Sequence, residues 1–103
     1  MASNLETAGS LADRLHAVVV LIRSCPDLGA LRYRHSAIIH LLQGCVDHAR
    51  VYRLRAGRPP QLDGLDWLSE VVQTHPAFEG KTADGQAMQA ELQQLVARIG
   101  RGA

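Results

Sequence analysis

Apolar residues recur along this chain at spacings of four and three, the signature of helices that bury one face. Leu11, Leu15, Val18, Ile22 and Cys25 form one such stripe. It predicts a first helix that stops at Pro26, because the residue before a proline is pushed out of the α region. Ser3 with Glu6, or Ser10 with Asp13, supplies a cap and its partner. The longest pattern runs from about Asp27 to Arg55, through Leu31, His35, Ile38, Leu42, Cys45, Ala49 and Tyr52. Ile39 and Val46 widen that stripe into a band, while Ser36, His40, Gln43, Asp47 and Arg50 fall on the opposite face. Gly57 and Pro59-Pro60 end the segment, and Arg50, Arg53 and Arg55 suit its negative C-terminal end.

A third segment, about Asp63 to Thr74, carries Leu65, Leu68 and Val72 on one side, with Asp63 as its cap and Pro76 as its stop. A fourth, about 84–99, uses Met88, Leu92, Leu95, Val96 and Ile99, capped by Thr82 or Asp84 and ended by Gly100. Short connections favour antiparallel neighbours. The expected fold is therefore all-α: a small antiparallel helical bundle of about four helices, the second longest. It forms a single helical domain over residues 1–103, with about 1–9 and 100–103 expected to fray. The competing arrangement is a long hairpin of the first two segments that completes its core by dimerising. The stretch 17–22, apolar all round, is its argument.

Composition narrows the class. A chain of 103 residues buries enough surface to fold without a metal or a disulfide. The run 17–22 is too short to span a bilayer, and residues 1–10 carry Glu6 but no basic residue, unlike a targeting segment. A cytoplasmic location is the expectation. Cys25 and Cys45 lack a CxxC unit and read as reduced thiols, too far apart along an antiparallel hairpin to be bridged. Ten arginines against one lysine suggest a GC-rich bacterial genome. Net charge is only +1, yet residues 28–58 hold six arginines against Asp47 alone, while 59–103 hold six acids against Lys81, Arg98 and Arg101. Either these segments face each other in the fold, or the basic one meets an anionic partner.

Motifs for catalysis are sparse. Gly80-Lys81-Thr82 matches the end of a phosphate-binding loop, but the glycine required five residues earlier is His75. A helix cap at Thr82 explains the triplet better. Among His16, His35, His40, His48 and His75 there is no HxxxH pair, and only Cys45 with His48 has ligand spacing. No nucleophile with a base and an orienting acid is readable, so no enzyme, metal or cofactor is expected. His35 lies inside the apolar band, beside Val18, Val19 or Ile22 of the first helix, and is the candidate buried polar residue.

Trp67 and Val71 form a second apolar edge on the third segment, which Phe78 extends. Together with Arg50, Arg53, Arg55 and Arg58 they make the candidate interaction surface, since Trp and Arg dominate interface hot spots. Internal pairing of the arginines with Asp63, Asp66 and Glu70 is the expectation set against it. The sequence thus points first to a non-enzymatic protein-interaction module: an adaptor, small chaperone or regulator. Its partner is a second copy in a homodimer, or another helical protein. The alternative is a nucleic-acid-binding accessory protein using the arginines of the second helix. A third reading is a ligand- or metal-binding bundle around His35, Cys45 and His48. No membrane partner is expected.

Overall fold

The computed structural model describes residues 4–58, 64–80 and 82–101, with side chains from Leu11 onward. It holds four helices: α1 (Asn4–Arg23), α2 (Leu28–Ala56), α3 (Leu65–Thr74) and α4 (Ala83–Arg101), with a single 3₁₀ turn at Pro76–Phe78. At about 1.5 Å of rise per residue, the 29 residues of α2 run the length of a molecule measuring 45 × 20 × 20 Å.

Local chemistry sets most helix ends. Asp27 caps α2, its carboxylate accepting the Ala30 N–H at 2.8 Å. Gly57 ends α2 in the left-handed region at φ 73°, and its N–H reaches the Arg53 carbonyl at 2.8 Å. The Thr82 hydroxyl accepts from the Gly85 N–H at 3.0 Å, so the Gly-Lys-Thr triplet ends in a helix cap. Two expected caps differ. Helix α1 starts at Asn4, which puts Ser10 inside the helix, while Asp63 lies outside the described residues and Gly64 precedes α3 without a side-chain cap. The backbone is helical at 4–9 and at 100–101. Ser3 and the ends 1–3 and 102–103, where fraying was also expected, lie outside the described residues.

The helices alternate in direction. Arg34 reaching Ser24 marks the closed end of the α1–α2 hairpin. Helix α3 runs parallel to α1: Gly64 sits against Leu15, and His75 against Ile22. Helix α4 returns antiparallel to α3, with Gln89 beside Val72 and Gly100 beside Leu65. Around the bundle the order is α1, α2, α4, α3, so α2 and α3 stand on a diagonal.

The core is continuous across all four helices. Leu11, Leu15, Val18, Val19 and Ile22 of α1 are buried against Leu31, Ile38, Leu42, Cys45 and Val46 of α2 and against Leu68, Val72, Leu92 and Ile99. Within the stretch 17–22, Ala17 and Val20 face outward and the other residues are covered by this chain itself. The apolar bands of α1 and α2 are therefore spent inside one molecule. That removes the premise on which the dimerising hairpin rested.

Candidate interaction surface

The C-terminal turns of α2 and the residues just beyond them carry the four candidate arginines. Along the face opposite the core, Asp47, Val51, Leu54 and Arg58 follow at four-three-four spacing, with Arg50 and Arg55 beside them, and all six are exposed. Leu54 is 78% exposed and Val51 41%, so two aliphatic side chains stand one turn apart amid arginines. Among the described residues, the only carboxylate near this face is Asp47, whose Oδ1 lies 3.8 Å from Arg50. The expected internal pairing with Asp66 and Glu70 does not form, because these sit on α3, diagonally across the bundle. Asp63 lies outside the described residues.

Arg53 departs from the other three arginines. It points toward α4, where its guanidinium donates to the carbonyl of Arg101 at 2.7 Å. An orphan carbonyl of the last turn of α4 is thereby satisfied, so Arg53 is a capping residue between two parallel helices.

Trp67 and Val71 separate in the same way. Val71 is buried in the core, which removes it from the proposed surface; Phe78 is buried too, edge-on to the ring of His75 at 5.9 Å. Trp67 is 51% exposed and meets His16 of α1 edge-to-face at 6.5 Å. Asp66, Glu70 and Thr74 flank it on α3, and Asp13 and Val20 lie one turn either side of His16 on α1. This second surface, apolar at its centre and acidic at its edges, faces away from the arginines of α2.

The expected burial of His35 does not occur. His35 is not buried: its side chain is 33% exposed and it turns to α4, where Nε2 lies 2.6 Å from Glu91 Oε1. A stripe gives the face of a helix but not the neighbour it meets, and the edge of this band faces the rim of α4. The buried histidine is His75, 6% exposed, at the end of α3. Its Nδ1 accepts the Ala77 N–H at 3.0 Å and its Nε2 donates to the Ile22 carbonyl at 3.0 Å. The signal in the sequence was His75-Pro76 after a helical stripe. A residue before proline is extended, as here at ψ 129°, and its side chain is free to cap the turn that follows.

Nothing in the described residues assembles a reactive centre. No three His, Cys, Asp or Glu side chains among them are placed to hold a metal ion. Cys25 and Cys45 are both unpaired and buried, and burial pushes the Cys45 thiol up to about 11, with nearby Arg14 pulling the other way. A thiol held protonated at neutral pH is a poor nucleophile and a poor metal ligand. An open groove between α3 and α4 is lined by Gln73, Gln86, Gln89 and Glu79, and by His75, whose ring nitrogens are both engaged with backbone. No helix of the described chain is long and apolar enough to cross a membrane. Comparison with family models, curated proteins and solved structures finds no match to the chain.

Proposed function

We propose that this chain is a non-enzymatic protein-interaction module whose contact surface is the outer face of the last turns of α2. The observation that carries this is the mixed character of that face. Arg50, Arg55 and Arg58 surround exposed Val51 and Leu54, with Asp47 as the acid that meets this face among the described residues. Desolvated aliphatic groups contribute binding energy, and arginines around them recognise carboxylates in fixed geometry. The partner that fits is an acidic protein segment with an apolar stripe, such as an amphipathic helix. Two reduced, buried thiols accord with a cytoplasmic setting.

The nucleic-acid reading keeps one observation in its favour: Arg55 and Arg58 meet no carboxylate among the described residues. A phosphate backbone would use these charges but would gain nothing from Leu54. The test follows from that difference. A labelled acidic peptide with leucines at helical spacing is titrated by fluorescence anisotropy in parallel with a DNA duplex and an RNA single strand. The proposal expects peptide binding that falls at least tenfold in both Leu54→Ala and Arg50→Glu/Arg55→Glu/Arg58→Glu. Binding of nucleic acid alone, steep in salt and indifferent to Leu54→Ala, would replace this reading by the alternative.

A further inference from the structure

We infer that the partner of the arginine face is the Trp67 face of a second copy of this chain, so that the molecules associate head to tail. The inference rests on the reading of the arginine face given above and names its occupant. The two surfaces are complementary in kind. One sets Val51 and Leu54 among Arg50, Arg55 and Arg58; the other sets Trp67 and Val20 among Asp13, Asp66 and Glu70. Arg23, one turn beyond Val20, is the cation at the rim of the acidic surface.

Among the described residues no ion pair joins the two surfaces, and Trp67 remains half exposed with the ring of His16 edge-to-face against it. The reason is the diagonal placement of α2 and α3, whose outer faces point to opposite sides of the bundle. The basic segment 28–58 meets the acidic segment 59–103 along α4, where Arg32 pairs with Asp84 at 2.9 Å and His35 lies 2.6 Å from Glu91, but not between the last turns of α2 and α3. A surface on one molecule instead finds its complement on another.

The same geometry decides the symmetry. A two-fold dimer needs both surfaces presented to the same neighbour, and the outer face of α2 and the Trp67 face shared by α1 and α3 look in different directions. The contact is heterologous and leaves one free surface of each kind at the ends of every assembly. Association therefore continues with concentration rather than stopping at two chains. Patches of a few side chains each make a small contact, below the size of stable interfaces, so it forms at high concentration and low salt.

Sedimentation velocity over a wide concentration range tests this. In low salt the weight-average mass is expected to climb above the single-chain 11.2 kDa and to fall back at high salt. Two neutralised variants then isolate the surfaces: Arg50→Gln/Arg55→Gln/Arg58→Gln, and Asp66→Asn/Glu70→Gln. Arg53 is left in place because it caps α4. Each variant alone is expected to remain monomeric, with an unchanged circular dichroism spectrum and melting curve. Mixed in equal amounts, they should form a one-to-one complex that grows no further, because only one intact pair of surfaces remains.

A wild-type chain that stays monomeric at millimolar concentration in low salt would overturn the inference. So would a mixture no heavier than its components, or association of either variant alone. The wider proposal is judged separately. If the acidic peptide still binds the arginine face while the chain stays monomeric, only the second copy is lost. If the peptide fails as well, the reading of the arginine face as a protein-contact surface is lost with it.

Discussion

His75 ties the end of α3 to the end of α1: its Nε2 donates to the Ile22 carbonyl at 3.0 Å while its Nδ1 accepts the Ala77 N–H at 3.0 Å. Because Nδ1 accepts, it is Nε2 that donates in this pair of contacts. One side chain thus fixes the parallel register of α1 and α3 and shapes the 3₁₀ turn that redirects the chain toward α4. His75→Ala leaves the partly buried Ala77 N–H without its partner and opens space beside Phe78. The Ile22 carbonyl keeps its bond from the Cys25 N–H. Together these should lower unfolding free energy by about 2–4 kcal/mol. His75→Asn, which retains an acceptor for the turn but cannot reach Ile22, should recover part of that. Urea unfolding checks both: the midpoint falls in the order wild type, Asn, Ala, with the slope unchanged. Equal midpoints for Asn and Ala would show that the acceptor for the Ala77 N–H contributes nothing, leaving the effect to packing beside Phe78 and the link with Ile22.

Two glycines on α2 predict opposite signs for the same substitution. Gly57 stands at φ 73°, where a side chain is strained whatever the space around it. Gly57→Ala should destabilise by about 1–2 kcal/mol. Gly44 lies within the helix, and a methyl group there would meet Arg14 at an ordinary 3.7 Å. Gly44→Ala should stabilise by about 0.5–1 kcal/mol, through the entropy of the unfolded chain and better helix propensity. Thermal melts of the two variants should move apart in opposite directions. A fall in melting temperature for Gly44→Ala would mean that Arg14 is held by a contact a methyl group disturbs.

The fold was largely legible because its evidence is local. The stripe from Leu31 to Ala49, the stop at Pro26 and the glycine at position 57 each report on their own few residues, and the helices fall where these predict. What escaped was neighbourhood. A band along α2 says that Ile38 and Leu42 are inside, but not that its His35 edge faces the open rim of α4. Stripes on α3 left Trp67 and Val71 together on one edge, while the fold turns Val71 inward and Trp67 half out. The expectation that Asp66 and Glu70 neutralise the arginines failed for the same reason. Whether two helices are adjacent or diagonal depends on where the connection from Gly57 to Gly64 is laid, and no periodicity encodes that. His75 was missed because its partners, Ile22 and Ala77, are backbone groups that leave no trace in composition.

Arg53 and Arg55 sit two residues apart with the same chemistry and should behave differently. Arg53 closes the last turn of α4 by donating to Arg101, whereas Arg55 is exposed and meets no carboxylate among the described residues. Arg53→Ala should destabilise by about 1 kcal/mol and speed hydrogen exchange in the final turn of α4. Arg55→Ala should stay within about 0.5 kcal/mol of wild type. Exchange measured residue by residue on α4 separates the two. Identical protection near Ile99 in both variants would show that the α4 terminus does not depend on the Arg53 contact.

Cys45 gives the chain a defined response to alkali. Its thiol is buried and pushed up to about 11 from 9.0, chiefly by desolvation, with Arg14 opposing. The sign follows from proton binding. As pH rises past 9.0, the thiol of the unfolded chain ionises while the folded one stays protonated, so the unfolded state holds fewer protons and gains stability. The contribution of this group is therefore complete below pH 9 and is lost between pH 9 and about 11. Other groups titrate in the same range, so the useful quantity is a difference. The gap in urea midpoint between wild type and Cys45→Ala should narrow steadily over that window as the wild-type advantage is lost. The same burial predicts that Cys45 resists thiol reagents at pH 8 in the native protein and reacts at once in denaturant. Rapid labelling of native Cys45 would mean that the α1–α2 hairpin opens readily at its free end, where Arg14 lies over Gly44.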